Sequence, residues 1–377
     1  MEGSEQLPDV FVRRGEVVAL RLFDIAYSID LGAAEALCAA HSNARSNRGR
    51  LSQTPEKAIA FGDPPVILPL EPVRLDIEGR ETTVAATVRL YDFGAIAISL
   101  RFAVESRSWA GFEGLVGAIQ TSVGPASSSD IWRRLLDQAM PVIESALTRP
   151  SPATLQEDYL IATVLELGEP ISAVELQRRV DLSALLSGET RALSTGEKRE
   201  LLKQSYSYFD NDLVVLTWDR AFIYEPEGNT DVADVLEVAN AQLLELRYYD
   251  ELLDAELPRM YDQVEIARRG ISSLAASRFA QLARSLYTLV AEVTEVTEKV
   301  DNALQVTEDV YLARIYSSAL ELFRVSKLSA AVYRKLAIVR DTYIALYEEA
   351  SSSRGELLEF AIIVLILIEI LLGIARL

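Results

Sequence analysis

The chain has 377 residues, half of them hydrophobic and a quarter charged, enough for two or three domains with real cores and too apolar for a disordered chain. A formal net charge of -19 opposes non-specific binding to nucleic acid and to anionic lipid surfaces. One cysteine, Cys38, and one histidine, His41, exclude an internal disulfide and a Cys/His zinc site of ordinary ligand number, and fit a cytosol-like compartment.

Residues 1–20 hold neither a long apolar core nor a small-residue cleavage site, and their acidic start is unlike a mitochondrial transit peptide. Glu16 to Ile25 has the apolar and β-branched density of a strand, and Asp30 is placed to cap a helix through Ala33 to Ala40. A basic loop follows with His41, Arg45, Arg48 and Arg50, and Arg13 and Arg14 lie upstream. An anion or RNA contact is weighed there against a solvated loop, which is preferred because no aromatic platform is interleaved. Val66 to Leu70, Val73 to Ile77, Thr82 to Leu90 and Ala95 to Phe102 read as strands, with turns at Pro64-Pro65, Gly79 and Asp92-Phe93-Gly94. Helices are expected at Trp109 to Ser122 and at Ile131 to Leu147, the latter kinked at Pro141, and Thr148 to Thr154 reads as a linker.

Tyr159 to Leu167 is a strand, followed by short helices at Ala173 to Arg179, at Leu182 to Leu186 and from Ser194 through Leu202. Ser205 to Phe209 and Leu213 to Trp218 form a hairpin around Asp210-Asn211-Asp212, with Ala221 to Tyr224 as a further edge strand. Beyond Gly228 the hydrophobic period changes from 2 to about 3.5. Val232, Leu236, Ala239, Leu243, Leu246, Leu253, Leu257 and Met260 make one stripe, with Asp250 out of pattern, and Gly270 allows a turn. Leu282, Leu286, Leu289, Val293, Val296 and Val300 make a second. Tyr311, Ile315, Leu322 and Val325 carry a third, and Val332, Leu336, Val339, Tyr343, Leu346 and Ala350 a fourth. Stripes this narrow require other helices to cover them. An antiparallel hairpin or bundle that self-associates is expected, packed through Leu282, Leu286, Leu289, Val293, Val296, Leu336, Val339 and Tyr343.

After a joint at Ser351 to Gly355, Phe360 to Ala375 is apolar except for Glu369. As a helix it measures about 24 Å, or about 28 Å with Leu357 and Leu358, against roughly 30 Å of hydrocarbon. The expectation is a C-terminal transmembrane anchor. Phe360, Ile366, Glu369 and Ile370 are its membrane and association residues, since a carboxylate inside a span favours a partner helix. The bulk of the chain is then expected on the cytoplasmic side of a bacterial inner membrane.

Four constellations bear on chemistry. Thr195-Gly196-Glu197-Lys198 resembles the end of a phosphate loop but lacks the upstream glycine, and reads as a helix start. Asp210, Asp212 and Asp219 lack the order of a calcium loop. Cys38 beside His41 reads as a small core residue, and Glu292, Glu295 and Glu298 as a solvated face. No catalytic residue, cofactor or metal is assigned.

The runs Asp309 to Tyr316, Arg334 to Tyr343 and Glu356-Leu357-Leu358-Glu359 leading into Ile366 to Ile370 resemble the end of proteins of the required-for-meiotic-nuclear-division family. Tyr208-Phe209, Leu213 to Trp218 and the helix after Asp231 share the likeness. The resemblance implies a membrane-anchored α+β head on a helical neck, of bacterial type, with no catalytic residues to carry over. The translation role of mitochondrial members is not transferred.

The expected class is therefore α+β: a first module over 1–150, a second over 151–228, an antiparallel helical neck over 229–350 and an anchor helix over 356–376. The expected function is a self-associating scaffold that does not bind nucleic acid. The alternatives are a nucleotide- or metal-dependent regulator or enzyme using Asp210, Asp212 and the Arg45–Arg50 loop, and an RNA-associated factor by family analogy.

Overall fold

The computed structural model of the protein describes residues 9–42, 47–48, 59–127, 129–152, 155–189, 191–268, 272–302, 304–306 and 309–374. In chain order its elements are β1 (Phe11–Asp24), β2 (Ala26–Ile29), α1 (Leu31–Ser42), β3 (Asn47–Arg48), β4 (Ile59–Phe61), β5 (Val66–Pro69), β6 (Val73–Ile77), β7 (Arg80–Leu90) and β8 (Ala95–Ser108). There follow α2 (Trp109–Val123), α3 (Ile131–Ile143), β9 (Leu147–Pro150), β10 (Gln156–Leu167), α4 (Ala173–Arg179), α5 (Leu182–Ser187), α6 (Thr195–Leu201), β11 (Ser205–Tyr206), β12 (Leu213–Leu216) and β13 (Arg220–Tyr224). The last are α7 (Asp231–Arg268), α8 (Ser272–Asp301), β14 (Leu304–Val306), α9 (Val310–Leu322) and α10 (Val325–Ile374).

One sheet runs in the order β11-β12-β13-β10-β1-β8-β7-β5-β3, with β6 also paired to β7. Strands from before and after residue 150 thus share one sheet. The central pair β1/β10 is antiparallel, with Val17 opposite Ala162 and Leu20 opposite Tyr159, and β10/β13 is parallel. The segment expected as an edge strand, Ala221 to Tyr224, is therefore internal, lying between β10 and β12. The expected linker at Thr148 to Thr154 begins instead as β9, which pairs with β2.

β1 is buried along most of its length because both faces of the sheet are covered. On one face Val17, Ala19, Phe23, Ile98 and Leu100 share a core with Phe112, Leu135 and Leu186 from α2, α3 and α5. Side chains alternate across a strand, so Leu20, Leu22 and Ser99 point to the other face. That second face meets the first turns of α7 through Arg89 and Tyr91, and Phe323, just after α9, through Tyr159.

The chain divides into two units, one formed by residues 1–245 with 299–325, the other by 246–298 with 326–377. The first holds the sheet and is mixed α+β. The second is helical, built from the later part of α7, α8 and α10. Within it Lys335 on α10 reaches Asp250 and Asp254 on α7 at 2.7 and 2.6 Å.

The expected transmembrane anchor, and with it the tail-anchored placement in a bacterial inner membrane, is corrected. Among the described residues no helix is long and apolar enough to cross a membrane. There is no joint at Ser351 to Gly355: the apolar run is the last part of α10, continuous from Val325.

Candidate functional site

The polar side chains that the fold gathers lie between the second face of the sheet and the start of α7. From Asp231 to Glu245 this helix is buried at every position but Ala233, yet it carries Asp231, Asp234, Glu237, Asn240, Gln242 and Glu245. A helix buried all round is ordinarily apolar all round, so each of these groups needs a partner. Arg89, projecting from β7, supplies the central one: its Nη1 lies 2.6 Å from Asp234 Oδ1 and 3.5 Å from Glu237 Oε2. Tyr91 donates its hydroxyl to Glu237 Oε1 at 2.8 Å. Asn240 donates to the Leu236 carbonyl at 2.8 Å, and Gln242 accepts from the Tyr316 hydroxyl at 2.7 Å.

Burial works against the charge of Arg89, but Glu237 and Asp234 outweigh it and hold the guanidinium pKa above its ordinary value. Burial raises Asp234 in spite of Arg89, and Glu237 adds to that rise. The two directions are compatible because one cation serves two carboxylates. Tyr91 is raised by burial and by Glu237, which keeps it a neutral donor.

A second group lies at the C-terminal end of β1. Asp24 is buried, and its neighbour Ser151 donates to the Asp24 carbonyl at 2.9 Å and to Oδ2 at 3.4 Å. Burial pushes the Asp24 carboxyl up to about 7 against the hydrogen bonds from Ser151 and Ala26. Glu245 is 1% exposed, its Oε1 has no hydrogen-bond partner, and burial with Asp24 and Asp92 nearby raises its pKa well above the ordinary value. The β7–β8 turn is pressed against the chain beside Asp24 at Gly94, whose φ is +101°. A Cβ there would stand 1.8 Å from the Ala26 carbonyl oxygen, so only glycine fits.

This interior can hold protons and balance charge. Among the described residues no group of three or more His, Cys, Asp or Glu is arranged to hold a metal ion. Sequence reasoning singles out none of its members as a site, because Arg89 and Tyr91 meet partners nearly 150 positions away.

The residues that sequence reasoning does single out are placed as follows. Leu282, Leu286, Val293, Leu336 and Val339 are buried in the helical unit, and Leu289 and Tyr343 are half-buried. Tyr343 packs against Tyr287 with ring centroids 5.7 Å apart. Ile366 is exposed, whereas the side chains of Val296, Phe360, Glu369 and Ile370 lie outside the described residues. Asp212 accepts the backbone N–H groups of Tyr208 and Phe209 at 2.8 and 2.9 Å, which makes it the organiser of a turn. Arg45 and Arg50 lie outside the described residues, as do the side chains of His41 and Arg48. Thr195 opens α6, and Ser194 caps it by accepting from Glu197 N at 3.2 Å. Cys38 is buried, which raises its thiol pKa.

Sheet and interior together define an α+β protein whose sheet is closed on one face by the polar, enclosed first part of α7, Asp231 to Glu245. The chain belongs to the family described as Uncharacterized protein MJ0711, N-terminal domain, which matches residues 14–231, more than half of it. It is similar to the uncharacterized protein MJ0711 of Methanocaldococcus jannaschii, with 26% identity over 248 residues, covering 66% of this chain and 74% of that one. No solved structure matches. The motifs behind the required-for-meiotic-nuclear-division resemblance lie mostly beyond residue 231, so the matched family does not confirm that name.

Proposed function

We propose that this protein is a non-enzymatic scaffold that self-associates through its helical unit and offers its α+β unit to partners. The observation that carries this is the apolar surface of the helical unit. Tyr287, Tyr333, Ile344 and Tyr347 are exposed, and so is every side chain from Ile362 to Ile368. An apolar surface of this extent marks a place where another molecule docks. The chain's strong negative charge disfavours nucleic acid as that molecule. Kinship with the required-for-meiotic-nuclear-division proteins belongs to the same proposal and rests chiefly on the C-terminal motifs.

The test is the mass of the full chain in solution at micromolar concentration, by sedimentation or light scattering. A dimer or larger defined assembly is expected, and a monomer overturns the reading. The nucleotide or metal alternative has no comparable support, because Asp212 is committed to backbone N–H groups.

A further inference from the structure

Helix α10 has a second stripe beside its buried one. Val332, Leu336, Val339 and Leu346 are buried, whereas Tyr333, Arg340, Ile344 and Tyr347 are exposed, with half-buried Ala337 between them. Positions 333, 337, 340, 344 and 347 step alternately by four and three, the spacing of a coiled-coil seam. At 3.6 residues per turn they centre roughly 100° round the helix from the buried set, on an adjoining side.

The charges beside this seam are divided along the helix. Arg334 precedes its middle position, Arg340, while Asp341 and Glu348 follow it, and all four are exposed. Two copies side by side in parallel would bring Arg334 against Arg334 and Glu348 against Glu348. Laid antiparallel about the Arg340–Asp341 step, they bring each Arg334 against Glu348 and let Arg340 exchange its own neighbour Asp341, 3.2 Å away, for the other copy's. Ala337 then lies near the large residues Ile344 and Tyr347, leaving room for them.

We infer that α10 pairs antiparallel with α10 of a second copy of this chain over residues 333–348, with Arg334 of each copy facing Glu348 of the other. The inference rests on the self-association proposed above and adds its geometry. A closed two-fold dimer follows, in which one surface meets itself.

The test uses the full chain carrying Arg334→Cys or Glu348→Cys, each alone and then the two mixed and allowed to exchange, under mild oxidation. The one natural cysteine, Cys38, is buried. The two positions are about 21 Å apart along the helix, too far for either to bridge to itself in the antiparallel arrangement. A covalent dimer is expected in the mixture alone. Arg334→Glu and Glu348→Arg are each expected to weaken dimerisation about tenfold, and the two combined in one chain to restore it. Covalent dimers from each variant alone would establish a parallel pair and overturn the inference. Failure to cross-link in a chain that still sediments as an oligomer would overturn this seam and leave the scaffold reading standing. A wild-type monomer would overturn both.

Discussion

Arg89 stands between two buried carboxylates, and removing it leaves both without a cation in a dry interior. Arg89→Met is expected to cost about 3–5 kcal/mol in urea unfolding. Replacing Arg89, Asp234 and Glu237 together by apolar residues of similar volume should cost far less, because no unpaired charge remains. Gly94→Ala is expected to destabilise by more than about 2 kcal/mol, combining strain at positive φ with collision against Ala26, as read by the same unfolding curve. Asp24 governs a pH dependence. Its carboxyl holds its proton more tightly in the folded chain, near 7, than at its ordinary 3.8, so its contribution to stability is full below about pH 4 and is lost as pH rises through 7. Asp24→Asn should therefore flatten the fall in stability between pH 4 and 8, worth at most about 4 kcal/mol, as read by chemical denaturation across that range. The Asp92-Phe93-Gly94 turn is legible in the sequence as a turn; its contact with Ala26 is not, since nothing in the local pattern names a partner nearly 70 positions away.

At the scale of elements, strands and short helices are legible where period and caps agree. Asp30 accepts from Ala33 N at 3.0 Å at the start of α1, and α4 begins at Ala173 as expected. The stripe read along α7 is buried at Val232, Leu236, Ala239, Leu243, Leu246, Leu253 and Met260. What periodicity cannot show is that the opposite side of the first four turns is buried too, because a polar residue facing Arg89 looks like one facing water. Asp250, the residue out of pattern, has its own reason: it receives Lys335. Lys335→Met is expected to cost about 1–2 kcal/mol, and less as salt is added, since Asp254 at this contact is well exposed. Thermal unfolding of wild type and variant at two ionic strengths reads both effects. The C-terminal run imitates a separate span because hydropathy alone does not tell where a helix begins, and α10 begins at Val325.

At the scale of the whole molecule, the α+β unit is discontinuous in sequence, since residues 1–245 are completed by 299–325. A boundary at 228 follows the change of period, but α7 from Asp231 to Glu245 belongs with the sheet. A fragment of residues 1–228 is therefore expected to lack a cooperative unfolding transition and to bind a hydrophobic dye, having lost the partners of Arg89, Tyr91 and Tyr159. A sharp two-state transition in that fragment would show that α7 and α9 are dispensable to the sheet.

The return of the chain to its own sheet bears on how the protein is made. A ribosome releases the strands of the main sheet first, but the Tyr159 ring waits for Phe323 and Gln242 waits for Tyr316. Until those residues have left the exit tunnel, one face of the sheet stays open to water and to chaperones. Premature termination anywhere in the intervening segment would release a head whose main sheet is fully translated and still unable to close.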